Sequence, residues 1–452
     1  MIAFTGLLGF GAGILGLASW QAFSVAFWPA NALVAGLMVR DPRLRRMPAW
    51  VGAAAGYVAA DLSFGRPLSL AAFFAAANLI SAATATFLLI QLDTRDLRLR
   101  RMHSVLRILA CLVPASLAGG LVGAALVVVE FGGSPWQTMM TWPASELANY
   151  LVVLPVLLTA PPPRRALQSR AERKRPSLIS LWPALALAAS SVAAALFDGP
   201  GCIMFPVPAL LLCALRYPVP VTTMLTTALG VGALITIGLG IVDIGQDMTI
   251  PRHVVSVRIA IAFLVLVPLT ISSAMAVHDD LLKRVREAAD HDALTGLLNR
   301  RAFEERIRER LRSEDMVAKG LAILWLDIDH FKGINDQHGH LAGDMMLQTF
   351  ATVAKQCCRE NDLIGRLGGE EFALSVAVPD AETAQGVAER LRAAFAARTF
   401  NWNAEPVRAT VSIAGCFLKR VPPSMSDLLL QLDETLYRAK HKGRNRVEWL
   451  HQ

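Results

Sequence analysis

At 452 residues, 54% of them hydrophobic, the chain is too long for one ordinary domain, and two or three are expected. Its net charge of +8 does not imply nucleic-acid binding, because much of the basic excess sits in short clusters between apolar runs. Six cysteines without metal-type spacing read as reduced, mostly buried thiols.

Up to about Val277 the sequence is almost continuously apolar, and from His278 on it reads as soluble α/β protein. A spanning helix needs about 20 mainly apolar residues. Candidate spans are 2–18, 21–39, 48–62, 68–92, 105–130, 143–160, 178–197, 202–215, 218–242 and 255–277, of which 48–62 and 202–215 are short. Eight to ten helices are therefore expected. The first is read as a retained helix, since the N-terminus lacks a basic region and a cleavage site. With ten, the clusters Arg40/Arg43/Arg45/Arg46, Arg95/Arg98/Arg100/Arg101/Arg107 and Arg164/Arg165/Arg170/Arg173/Lys174/Arg175 fall on the side of the C-terminal half, with Asp198 and Asp243 opposite. That is the pattern of a multi-pass membrane domain with both termini in the cytoplasm.

Polar residues interrupt two spans: Trp28-Pro29-Ala30-Asn31 in the second, and Trp142-Pro143 with Glu146 and Asn149 in the sixth. Either they line a ligand cavity, or the prolines kink helices and the tryptophans anchor at the interface. Residues 278–291, "HDDLLKRVREAADH", form a charged helix with Leu281, Leu282, Val285 and Ala288 near one face.

Beyond 292 the pattern alternates: helix 299–313, strand 321–328, helix 343–359, hairpin 363–378, helix 381–397, strand 409–418, helix 424–440 and a strand near 446–450. This order suits a βαββαβ core, one mixed or antiparallel sheet with helices on one face.

The apolar strand 321–326 ends in Asp327-Ile328-Asp329, whose acids share a face unless the strand bends. A carboxylate at a buried strand end needs a partner or a metal. With Glu370, two such acids would make a hard-oxygen site suited to Mg²⁺; elsewhere such acids simply cap a helix or hold a lysine. Gly368-Gly369 allow a tight turn and close approach of a phosphate, with Glu370 and Glu371 at the rigid strand end. A plain hairpin has the same glycines.

The motifs combine in order: "DALTGLLNR" (292–300), "DIDHFK" (327–332), Asn335-Asp336, Gly339-His340, Gly343-Asp344, "RLGGEEF" (366–372), "ATVSIAG" (409–415) and "ETLYRAKHKGRNRV" (434–447). Over residues 289–450 this series resembles the GGDEF family of diguanylate cyclases in its GGEEF form. The apolar part, about residues 5–277, resembles membrane-associated sensor domains of the MASE type through "FWPANALVAGLMV", "MPAWVGAAAGYVAADL" and "WPASELANYLVVLPVLL". The expected organisation is a polytopic membrane sensor (1–277), a signalling helix (278–291) and an α/β (α+β) GGDEF domain (292–452) related to nucleotide cyclases.

The GGDEF resemblance implies condensation of two GTP into cyclic di-GMP and two pyrophosphates by a homodimer in the bacterial inner membrane. It implies Asp327, the Ile328 carbonyl and Glu370 as ligands of two Mg²⁺ per half-site, with Mn²⁺ as a substitute. Glu370 and Glu371 would lie at the ribose 3′-hydroxyl and Lys332 at the phosphates. Asn335 and Asp344 would read guanine with His340 nearby, and Lys442 and Arg446 would hold phosphate. Arg359 and Asp362 match the RxxD product-inhibition site, and Arg390 is a candidate from the opposing surface. A non-catalytic receptor of GTP or cyclic di-GMP, and a transporter with an attached regulator, are the competing readings. No nucleic-acid partner is expected, and the signal sensed is not readable.

Overall fold

The structure, a computed structural model, describes residues 1–450 apart from 19, 22, 23, 26, 132, 133, 162–177, 313–319, 360, 404, 421 and 423. The third basic cluster therefore lies outside the described residues. The chain divides into two compact units, 1–281 and 282–452.

The first unit is helical. It contains α1 (Ile2–Leu17), a two-stranded ribbon of β1 (Trp20–Gln21) and β2 (Ser24–Val25), α2 (Ala30–Arg40), α3 (Met47–Ser63), α4 (Leu68–Leu89), the short α5 (Thr94–Leu97) and α6 (Ser104–Phe131). There follow α7 (Pro135–Thr159), α8 (Leu178–Leu196), α9 (Val207–Arg216), α10 (Val219–Gly238) and α11 (Pro251–Asp290), which runs on past the division between units. The second span starts late: the ribbon takes up its first half, and Pro29 stands at the cap of α2.

By length and composition, four described helices are long and apolar enough to cross a membrane: Leu68–Leu89, Ser104–Leu126, Val219–Gly238 and Pro251–Asp290. Their neighbours pack closely because small residues line the contacts. A Cβ on Gly56 of α3 would run into the backbone of Gly6 and Phe10 of α1. Along α4 the buried residues include Ala71, Ala75, Asn78, Ser81, Ala82 and Ala85, while Leu68, Phe73, Ile80 and Phe87 face outward. Small inward and large outward is how helices pack when lipid, not water, surrounds them.

The second unit is built on a six-stranded mixed sheet in the order β10-β9-β4-β6-β5-β3. These are β3 (Leu298–Asn299), β4 (Leu321–Ile328), β5 (Leu363–Gly368), β6 (Glu371–Ala377), β9 (Val411–Leu418) and β10 (Val447–Trp449), with β7 (Phe400–Trp402) and β8 (Glu405–Val407) in a separate hairpin. The central strand β4 is antiparallel to both neighbours, β6 and β9. The helices are α12 (Arg300–Leu311), α13 (Phe331–His338), α14 (His340–Cys357), α15 (Ala381–Ala396) and α16 (Met425–His441).

The expected single helical face is corrected here: both faces of the sheet are covered. Ala322, Leu324 and Leu326 pack with α14 and α15 residues such as Phe350, Leu391 and Phe395. Ile323 and Trp325 pack with Phe303 and Ile307 of α12 and Leu432 and Leu436 of α16. The reason is in β4 itself. "LAILWLDI" is apolar at both parities and all eight residues are buried, which is what a strand sandwiched between two layers requires.

Candidate active site

The site forms where β4 ends beside the β5–β6 turn. Asp327 faces Glu371 across the β4–β6 ladder and Ser412 across the β4–β9 ladder. The turn itself is Gly368 and Gly369, both in the positive-φ region (+152° and +52°) that favours glycine. Arg366 fixes it. The guanidinium donates from Nε and Nη2 to the Gly369 carbonyl (3.0 and 2.8 Å) and from Nη1 to both carboxylate oxygens of Asp292 (3.2 Å each). Asp292 in turn accepts from the Thr295 backbone and hydroxyl (2.9 and 2.6 Å). Burial alone would raise the Asp292 carboxyl, but the Thr295 hydrogen bonds and Arg366 outweigh it and hold it below the usual carboxylate range. The "DALTG" turn and the glycine turn are thus one hydrogen-bonded assembly.

Asp327 is buried, and its Oδ2 lies 2.7 Å from the ammonium of Lys440 on α16. Burial raises its carboxyl most; Lys440 opposes this, the negative charges of Glu370 and Glu371 add to it, and the outcome is about 6. Three acids therefore share one neighbourhood, one of them deprived of water. Such a donor set, hard oxygens with a charge deficit, fits a divalent cation. Among the described residues, no three His, Cys, Asp or Glu side chains already stand close enough to hold one.

The second acid of the Asp-x-Asp pair does not join this group. Asp329 accepts from the Thr410 hydroxyl (2.6 Å), the Ser412 hydroxyl (2.6 Å) and the backbone N–H of Asn445 (3.0 Å). It ties the end of β4 to β9 and to the 442–446 loop, whose Arg444 and Asn445 have positive φ. Neither this anchoring nor Lys440 was foreseen from sequence.

Of the expected substrate residues, Asn335 sits on α13 with Oδ1 buried and without a hydrogen-bond partner among the described residues. Its side chain rests on Gly343, so α13 and α14 bring Asn335 beside the residue preceding Asp344. Lys332 and His340 are exposed at the starts of the same two helices. Lys442 and Arg446 are brought together by Glu448, at 2.9 and 3.8 Å.

The RxxD segment closes into a turn: the Arg359 N–H donates to Asp362 Oδ2 (2.8 Å), and the Asp362 N–H returns to the Arg359 carbonyl (3.0 Å). Arg390 reaches from α15 to the Cys357 carbonyl (3.0 Å).

Residues 289–446 match the diguanylate cyclase GGDEF domain. A probable diguanylate cyclase of Escherichia coli O157:H7, DgcF, is 31% identical over 436 residues, covering 93% of this chain and 88% of that protein. Its counterpart in strain K12 is 32% identical over 314 residues, covering 68% of this chain and 96% of that one. The chain belongs to the GGDEF family of diguanylate cyclases. Diguanylate cyclase activity comes with that membership, as does dependence on a divalent metal. Among solved structures, the coiled coil and GGDEF domain of DgcB from Caulobacter crescentus, in complex with c-di-GMP, is 29% identical, with a TM-score of 0.36, covering 38% of this chain and 92% of that one.

Proposed function

We propose that the chain is a membrane-embedded, GGEEF-type diguanylate cyclase in which each 292–452 domain holds one GTP and two copies face each other. The grouping of Asp327, Glu370 and Glu371 at the clamped turn carries this reading. Asp327, Glu370 and the Ile328 carbonyl would hold Mg²⁺. Magnesium, when bound, supplies charge neutralisation on the triphosphate and acidifies the ribose 3′-hydroxyl.

The rest falls to the chain's own residues. Asn335, with an unsatisfied buried oxygen, offers an acceptor to the guanine 2-amino edge, and Asp344 a second acceptor. Lys332, Lys442 and Arg446 hold phosphate oxygens. The 3′-oxygen of one GTP bonds to the α-phosphorus of the other, and the bond to pyrophosphate breaks. Glu370 takes the hydroxyl proton, with Glu371 beside it. Done twice, this yields cyclic di-GMP and two pyrophosphates. Leu281, Leu282 and Val285 are exposed on α11, which supports pairing with a second copy there. Arg359 and Asp362, with Arg390 as a candidate from the opposing surface, would bind product and inhibit.

The membrane reading is supported by the four apolar helices and the inverted packing of the first unit; in that reading the unit would sit in the inner membrane and act as a sensor. The test is cyclic di-GMP formation from GTP and Mg²⁺ by the purified full chain. Glu370→Ala should lower the rate about a hundredfold or more. An unchanged rate in that variant sinks the assignment of the site.

A further inference from the structure

Four helices of the first unit place polar side chains in one buried cluster. Asn31 of α2 donates from Nδ2 to Asn78 Oδ1 of α4 (2.8 Å) and to Glu146 Oε1 of α7 (2.7 Å). The Ser81 hydroxyl of α4 donates to the same Glu146 oxygen (2.8 Å) and lies 3.0 Å from the Tyr150 hydroxyl. Trp28, just ahead of α2, is held by its backbone N–H on Asn149 Oδ1 (3.2 Å), and its Nε1 reaches Asn31 Oδ1 (3.4 Å). Asn31, Asn78, Ser81, Glu146, Asn149 and Tyr150 are each at most 6% exposed.

The cluster is short of one positive charge. The hydrogen bonds reaching Glu146 come from Asn31, Ser81 and Tyr150, all neutral groups. A carboxylate in a membrane interior is expensive unless something neutralises it. The negative charge of Glu146 reaches Tyr57 of α3 and Tyr150 of its own helix, while α2 and α4 present amides and a hydroxyl. A second observation points inward. Tyr57 is wholly buried, its ring stands 6.3 Å from that of Trp28, and its hydroxyl has no hydrogen-bond partner among the described residues. A fold rarely buries a phenol without satisfying it unless something else completes the site.

We infer that Glu146 centres a buried site for one monovalent cation, H⁺ or Na⁺, completed by oxygens of Asn31, Asn78, Ser81, Tyr150 and Tyr57. Direct contacts of 2.7–3.0 Å between successive members leave no space for an organic molecule, which limits the occupant to a single small ion. The inference rests on the membrane reading of the first unit, and it extends the sensor reading by giving that unit a ligand class.

The test uses the full chain in lipid nanodiscs and reads its thermal midpoint, with Glu146→Gln as the comparison, because glutamine stays neutral at every pH. One arm varies pH from 5 to 8 in choline chloride; the other titrates Na⁺ against choline at fixed pH. The expected result is a wild-type minus E146Q difference that moves by several degrees in one arm. Movement with pH names the proton, and movement with Na⁺ names sodium. A difference constant in both arms overturns the inference. Tyr57→Phe removes an unbonded hydroxyl and so should fold; it is expected to move the midpoint of the wild-type response severalfold in ion concentration. An unshifted midpoint in Y57F, with E146Q unable to fold, also counts against the site. Alkaline extraction of native membranes separates the two readings: a protein that extracts is not embedded, whatever the ion arms show.

Discussion

The two units solve the packing problem in opposite senses. In α4 of the first unit, alanines, Asn78 and Ser81 turn inward and Leu68, Phe73, Ile80 and Phe87 turn out. In α14 and α16 of the second, Met346, Leu347, Phe350, Leu428, Leu432 and Leu436 turn inward and Gln348, Lys355, Gln431, Asp433 and Glu434 turn out. The same apolar side chains do different jobs. In the second unit they are the source of stability through removal from water. In the first they lie on the outer face, as the proposed lipid surroundings would require, and close backbone approach marks the helix contacts. Both units bury acids; of Glu146 and Asp327, it is Asp327 that has a lysine at hand, while Glu146 is met by the Asn31 amide.

That contrast can be broken by substitution. The largest effect on stability is expected from Leu432→Ala, which empties a fully buried site in α16 and should cost about 2–5 kcal/mol in chemical denaturation followed by a probe in the second unit. Next comes Gly56→Leu. A side chain there meets the α1 backbone, and the helices must separate at a cost of about 1–3 kcal/mol, read as a lower thermal midpoint in nanodiscs. If this variant is neutral, close approach does not hold the first unit together.

Asp292→Asn should weaken the clamp on the glycine turn in a pH-dependent way. The folded-state carboxyl of Asp292 is held low, so its contribution is present above the unfolded value of about 3.9 and is lost as pH falls through the folded value. The stability difference between wild type and variant should therefore be present at pH 7 and shrink below about pH 4. The smallest effect is expected from Leu121→Ala, an outward leucine of α6 that should change stability by less than about 0.5 kcal/mol in lipid. A cost like that of Leu432→Ala would mean that this face packs against protein.

What could be read from sequence follows the range of the forces involved. Strands β4, β5, β6, β9 and β10 and the long helices of the second unit are written in local periodicity and were expected within a few residues, whereas the two-residue β3 was not. The short helix α13 was missed because "FKGINDQH" carries few apolar residues and begins after His330 at positive φ. The β7–β8 hairpin was missed because Pro406 and a run of polar residues hide it. The roles of Asp329 and Lys440 depend on partners far along the chain, 81, 83 and 116 residues away for Asp329. Pattern reading cannot pair such residues. Motif order did place Glu370 and Asp327 together, since a family resemblance carries tertiary information that periodicity lacks. In the first unit, Asn31, Glu146 and Asn149 stood out as polar interruptions, but nothing local says that Asn78 and Ser81 meet them.

The Lys440–Asp327 contact has a consequence for metal binding. A tethered ammonium at 2.7 Å acts as a built-in competitor whose effective concentration is set by the fold and not by the solution. A divalent ion held at Asp327, as proposed, would compete with this ammonium, so the protein's apparent affinity for the ion alone would be lower than its oxygens would give.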